Sequence, residues 1–294
     1  MIAVIQVLVA GALTGLVYGL VALSFIVVYR AARVLNLAQG QVLLVAALLI
    51  WTFSSGLKLP LLLAIPLALA ASAAVGILLD RIVFRQLIGK SGFTVVMASI
   101  ALMILLQGLA QAVWGAETRA FPQVLPGGAW TLGPFSANAS LVVGAVLTLV
   151  LSEALNWFFL HTREGLRLAA VAESHYTALS LGISVRRATT IAWILGGVLA
   201  AIAATVLLSG RLLGMSAAEI GLIALPVALL GGLESVRGAV LAGLIVGVGE
   251  ALASAYLDPL TNGAVSRIFP SLLMVAVLLI RPQGLFGWRI IERI

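Results

Sequence analysis

The sequence predicts an all-α polytopic membrane protein of about eight to nine transmembrane helices, some of them broken or re-entrant. Three observations carry this. Of 294 residues, 63% are hydrophobic and 9% charged, against about 25% charged in a soluble domain. The apolar residues form long continuous runs, without the ten-residue alternation of membrane barrel strands. In lipid the backbone must satisfy its own hydrogen bonds, so such runs become helices. Third, the basic residues stand singly between the runs. The net charge of +7 therefore reads as a device of membrane orientation, not as a nucleic-acid surface.

The runs lie at Ile2–Tyr29, Asn36–Phe53, Leu59–Leu79, Thr94–Val113, Ala137–Leu160, Ala188–Leu208, Ala217–Leu230, Gly238–Ala255 and Ile268–Ile280. Crossing a bilayer takes about 20 apolar residues, so the seventh and ninth are candidates for tilted, broken or re-entrant segments. Pro66 and Pro226 fall inside runs, where each removes a helix hydrogen bond and predicts a kink or break. The first run lacks a preceding basic residue and is too long for a signal-peptide core. Arg30 and Arg33 follow it, as expected of a retained first helix.

With the N-terminus outside and alternating segments, the inner loops hold Arg30, Arg33, Arg81, Arg85, Lys90, Arg163, Arg167, Arg186, Arg187, Arg237, Arg281, Arg289 and Arg293. The outer loops hold Lys58, Arg119, Arg211 and Arg267. This asymmetry predicts an N-out, C-in protein of the inner membrane, with the lipid bilayer as its first partner. The whole chain, 1–294, reads as one transmembrane domain. Its longer outer loop, about 115–136, is rich in Pro and Gly and reads as an irregular cap. Its longer inner loop, about 161–187, is the most charged stretch, and Gly165–Leu179 can form one short helix with an apolar and a polar face, suited to docking on another protein.

Enzyme chemistry has little to stand on. Gly89-Lys90-Ser91 resembles the end of a phosphate loop, but the required glycine position is Phe84. His161 and His175 are the only histidines, there is no cysteine, and neither His-Glu-x-x-His nor Gly-x-Ser-x-Gly occurs. No catalytic residue, resident cofactor or metal site is expected. Glu153, Glu219 and Glu250 sit in or beside apolar runs, where charge is costly and usually faces protein or water. Glu250 is the most embedded; its sequence neighbours offer no partner, and it reads either as a packing residue or as a solute or proton contact. Asn36-Leu37-Ala38-Gln39-Gly40-Gln41 places three amides at the start of a run. Asn36 can cap the following helix, or the string can mark a broken helix lining a solute pathway. Gly11, Gly15 and Gly19, like Ala239, Gly243 and Gly247, form small-residue ladders, which permit close helix packing within the chain or against a partner.

Taken together, these strings resemble the permeases of the branched-chain, or hydrophobic, amino-acid ABC importers. Gly15–Leu23 is similar to that family's first helix, and Asn36–Gln41 to its Asn, Ala, His or Gln, Gly, Glu or Gln signature. Arg81–Arg85 is similar to the basic string closing its third helix. Ala170–Glu173 with Ala178 and Leu181–Ile183 is similar to its cytoplasmic coupling loop. Gly231–Val240 and Arg281–Gly287 are similar to its closing motifs. The resemblance implies a membrane-spanning importer subunit paired with a second homologous permease, with two cytoplasmic ATPase subunits that carry ATP and Mg, and with a periplasmic solute-binding protein. It implies ATPase coupling through Glu173, Ala178 and Gly182, and a substrate pathway involving Asn36, Gln39, Gln41 and Glu250. Gln39 and Gln41 stand where many members carry His and Glu. That keeps urea or a short-chain amide open as the solute. Read from physics alone, the chain is a helical, transporter-like bundle with an exposed docking loop and no site for its own ATP, and a stand-alone ion-coupled carrier and a membrane scaffold are the competing classes.

Overall fold

The computed structural model describes residues 2–33, 35–132, 135–261 and 263–287. All nine apolar runs become helices: α1 Ile2–Ala32, α2 Gln39–Trp51 continued by a π-turn Thr52–Gly56, α3 Leu61–Ile82, α4 Gly92–Trp114, α5 Ala139–His161, α8 Val185–Leu208, α9 Glu219–Gly231, α10 Val236–Tyr256 and α12 Ala264–Ile280. Three short helices complete the set: α6 Arg163–Glu173, α7 His175–Ser180 and α11 Asp258–Thr261. Seven helices are long and apolar enough to cross a membrane; Met215–Gly231 and Ala264–Ile280 are shorter. Many starts carry a polar cap, as at Ser91, Asn138, Thr162, Ser184 and Ser235, each accepting a backbone N–H of the first turn.

Several expectations change. The helices run on through Pro66 and Pro226, so neither proline breaks its helix. The outer loop is not wholly irregular: β2 Ala129–Leu132 pairs antiparallel with β3 Phe135–Asn138, and β1 Arg119–Ala120 pairs with β4 Leu212–Leu213. The single helix expected over Gly165–Leu179 is two. Ser174 adopts an extended conformation and its hydroxyl accepts from the N–H of Thr177 at 3.2 Å, so it closes α6 and caps α7.

The glycine ladders pack against each other inside the chain. Gly11 lies against Ala251 and Val248, Gly15 against Gly243 and Gly247, and Gly19 against Ala239 and Val240, which makes α1 on α10 the most extensive helix pair. Next comes α3 on α8, where Gly76 meets Trp193 and Gly197 meets Ser72. The two pairings are counterparts. In α1–α4 a long helix precedes a 13-residue helix and two long ones; α8, α9 and α10 repeat the first three, again with 13 residues in the second helix, and the set closes on the shorter, 17-residue α12. The second set runs in the opposite sense, so the fold is an inverted repeat with α5, α6 and α7 between its halves.

The second helix of each half starts in the middle of the bundle. Gln39, at the head of α2, donates to the carbonyl of Gly196, halfway along α8. Gly40 faces the carbonyl of Ala218 and the Cα of Gly221, at the head of α9. From there α2 climbs until Thr52 accepts from the indole of Trp114, the last residue of α4. The helix α9 descends to Gly231, which abuts Gly238 at the start of α10. Each 13-residue segment is about 20 Å long, less than the roughly 30 Å of a hydrocarbon core.

The described charges sort by end as the sequence predicts. Arg33, Arg81, Arg85, Lys90, Arg163, Arg167, Arg186, Arg187 and Arg281 lie at or between helix termini at the α6 end, with Arg30 and Arg237 in the adjoining terminal turns. Lys58, Arg119, Arg211 and Arg267 lie towards the opposite end, which carries the β-hairpin. Arg289, Arg293 and Pro134 fall outside the described residues.

Candidate functional site

Arg33 leaves α1 in a left-handed conformation (φ 52°) and turns the chain back into the bundle. Asn36 and Gln39 are both buried there. The side-chain oxygen of Asn36 accepts from the N–H of Ala38 at 3.1 Å, its amide donates to Gln39 at 3.0 Å, and the Gln39 amide donates to Gly196 at 3.3 Å. The helix N-cap is Ala38, which makes no side-chain cap, so Asn36 acts just ahead of the cap position proposed for it. The pair forms a satisfied knot joining α2 to α8. Gln41 is half-buried and looks elsewhere, into a cleft against α4. Replacing Asn36 by leucine strands the Ala38 N–H and the Gln39 carbonyl together, at a cost of about 2–4 kcal/mol. Thermal unfolding in detergent should show this loss in Asn36→Leu and not in Gln41→Leu, which breaks no hydrogen bond.

Glu250 is not brought to the amides. It faces α1, where the Tyr18 hydroxyl donates to Oε1 at 3.4 Å while Oε2 is buried without a partner. The partner is 232 residues away in sequence, which is why local reading found none. Glu153 makes a two-pronged pair with Arg237 at 2.9 and 2.8 Å, and Glu219 lies in the first turn of α9, exposed.

At the other candidate surface, Thr162 caps α6 and Glu164 in its first turn bonds Arg167 at 2.7 Å and meets Arg187 at 3.3 Å. An acid there also suits the positive pole of the helix. Glu173 is exposed at the far end of α6, beside a small cleft shared with Arg30, Arg33 and Glu234. Leu166, Leu179 and Leu181 stand exposed along this end. Ala178 is buried, and its carbonyl accepts from Ile183 at 2.9 Å. Gly182 has φ 73°, a conformation open to glycine at little cost, and makes the turn into α8.

Two charged clusters at this end escaped the sequence reading. The guanidinium of Arg33 pairs with Glu234, in the turn between α9 and α10, and donates to the carbonyl of Ala172 on α6 at 3.1 Å. One side chain thus ties α6 to the foot of α9. Asp80, fully buried on α3, accepts from Arg85 at 3.0 Å and from Thr190 of α8 at 2.5 Å. An aspartate ending an apolar run five residues before an arginine was the available signal. Next to it Phe84 stacks on Trp193 at 4.3 Å.

The family described as "Branched-chain amino acid transport system / permease component" matches residues 7–278. The chain is 29% identical to the high-affinity branched-chain amino acid transport system permease protein LivH of Escherichia coli K12, over 97% of this chain and 96% of that one. It is 28% identical to the corresponding protein BraD of Pseudomonas aeruginosa, covering 99% and 98%. To the probable branched-chain amino acid transport permease protein LivH of Methanocaldococcus jannaschii it is 26% identical, covering 94% and 90%.

Proposed function

We propose that this chain, which belongs to the family of branched-chain amino acid transport system permease components, is the membrane-spanning subunit of an ATP-driven importer of branched-chain or other hydrophobic amino acids. The observation that carries the reading is the match of residues 7–278 to that family. The chain is a transport component that spans the membrane several times. Its phosphate-loop-like string lacks the required glycine, and in our reading ATP and Mg belong to two cytoplasmic ATPase subunits. A second homologous permease and a periplasmic solute-binding protein complete the complex. The N-terminus faces outward and the α6 end faces the cytoplasm, where inner-leaflet charge asymmetry places the basic residues.

In this arrangement α6 and α7 form the ATPase contact. Glu173 presents its charge to the ATPase, Ala178 packs the contact helix onto α8, and Gly182 makes the following turn. Arg33 passes the movement of α6 to the turn below α9. Asn36 and Gln39 hold the centre of the bundle, Gln41 faces solute, and Glu250 with Tyr18 fastens α10 to α1.

The test is reconstitution of the four kinds of subunit in proteoliposomes, with leucine uptake measured with and without ATP. Uptake that persists without ATP, or from this chain alone, would sink the reading in favour of a stand-alone carrier. Glu173→Lys is expected to lower uptake per ATP hydrolysed by at least about tenfold, equivalent to about 1.4 kcal/mol of coupling, with the chain still inserted. Normal coupling in that variant removes Glu173 from the contact. The neutral Gln39 and Gln41 favour one second reading, urea or a short-chain amide as solute, which competition against leucine uptake distinguishes.

A further inference from the structure

A cleft of about 320 Å³ opens between α2 and α4, lined by Gln41, Met103, Ile104, Gln107, Gly108 and Gln111. Its volume corresponds to about ten water molecules at liquid density, room for a small solute with part of its hydration. Gln107 and Gln111 are one turn apart on α4, so they share a face and lead from the hairpin end of that helix towards mid-bundle. Gln41 stands at the inner end, in the first turn of α2. None of these three amides makes a side-chain hydrogen bond among the described residues, and the carbonyl oxygen of Gln107 is buried without a partner. The opposite flank of α4 shows Leu105 and Leu109, and the cleft flank is open as well, with Ile104, Gly108 and Gln111 exposed; the two flanks differ in polarity.

Three unpaired amides cannot face acyl chains, because hydrocarbon offers no hydrogen bond in return. We infer that the α2–α4 cleft is the solute passage of this subunit, and that Gln107 and Gln111 with Gln41 are its polar contacts. This rests on the transport reading above. The lining holds no charged side chain, while an amide both donates and accepts. Met103 and Ile104 supply an apolar wall. That combination suits a small solute without net charge, zwitterionic or neutral, carrying donors and acceptors on a short apolar body.

The chain has no cysteine, so single cysteines report on single positions. In the complete transporter in proteoliposomes, Gln107→Cys and Gln111→Cys are expected to react with a membrane-impermeant sulfonated thiol reagent. Leu109→Cys, at the same depth on the opposite flank, is expected to react at least about tenfold more slowly, the contrast between water and hydrocarbon. Leucine delivered by the binding protein should slow the reaction at Gln107→Cys severalfold. Gln107→Leu should cut the uptake rate at least about tenfold, with the partner subunits still co-purifying. Equally slow reaction at all three positions overturns the passage, since the cleft is then sealed by lipid or by the second permease. So does solute-independent labelling together with normal uptake in Gln107→Leu. If the unaltered complex takes up no leucine while the labelling contrast persists, the solute assignment fails and the water-filled cleft stands.

Discussion

Replacing Gly247 by leucine is expected to remove the folded protein from the membrane. A Cβ at this position would strike the backbone of Gly11 and Gly15 on α1. Backbone atoms cannot rotate aside as a side chain can, so the helices must separate along their most extensive contact. Overpacking of a yielding core costs about 1–3 kcal/mol, and this site should exceed that range, since even alanine does not fit. Its counterpart in the other half is Gly76, whose Cβ would strike the carbonyl of Trp193. Gly92→Leu is the control, because nothing lies within 4 Å of a Cβ there. Size-exclusion profiles in mild detergent should show a monodisperse peak for Gly92→Leu and aggregate for Gly247→Leu. A normal peak for Gly247→Leu would mean that α1 and α10 do not pack through these glycines.

Removing Arg85 is expected to cost much more than neutralising Asp80. The two are unequal: the Asp80 side chain is 1% exposed and that of Arg85 30%. Arg85→Met leaves a carboxylate buried with Thr190 as its one remaining partner, and stranding a buried charge costs about 3–5 kcal/mol. Asp80→Asn keeps a hydrogen-bonding group in place and leaves a guanidinium that already reaches water, so about 1–2 kcal/mol is expected. Combining Arg85→Met with Asp80→Leu should recover part of the loss, because no buried charge is then unpaired. Thermal unfolding of the purified variants ranks them, and equal losses for the two single changes would remove the buried-pair account.

How legible was this molecule before its structure? Every apolar run became a helix because lipid leaves the backbone no alternative, and the charge sorting of Arg81, Arg163 and Lys58 followed from the same run order. Depth was not legible. Hydropathy reports that Gln39–Trp51 is apolar, not that Gln39 begins opposite the middle of α8. The seventh run was short enough to raise suspicion of a break, whereas the second was not. The split of the inner helix had a signal, since Ser174 is a good cap for a helix starting at His175, but amphipathic spacing across the break masked it. Partners far apart in sequence left no trace: Tyr18 with Glu250, Arg33 with Glu234, and Gln41 with the cleft-facing side of α4. Within the amide string, two of the three side chains fasten the bundle and one alone turns to the cleft, a division that residue type does not encode.

The meeting of α2 and α9 at Gly40 and Gly221 has an electrostatic side. Each helix begins at this point without a side-chain cap, so two amino-terminal poles, each equivalent to roughly half a positive charge, converge in the middle of the bundle. Asn36 and Gln39 are neutral, and α2 has no acid in its first turn, whereas α9 begins with Glu219, whose carboxylate offsets the positive pole of its own helix. The two poles are therefore unequal: that of α2 keeps its positive potential, and that of α9 is balanced by a side chain. The centre of the bundle thus carries a field that points from one half of the repeat to the other, although the two backbones are counterparts.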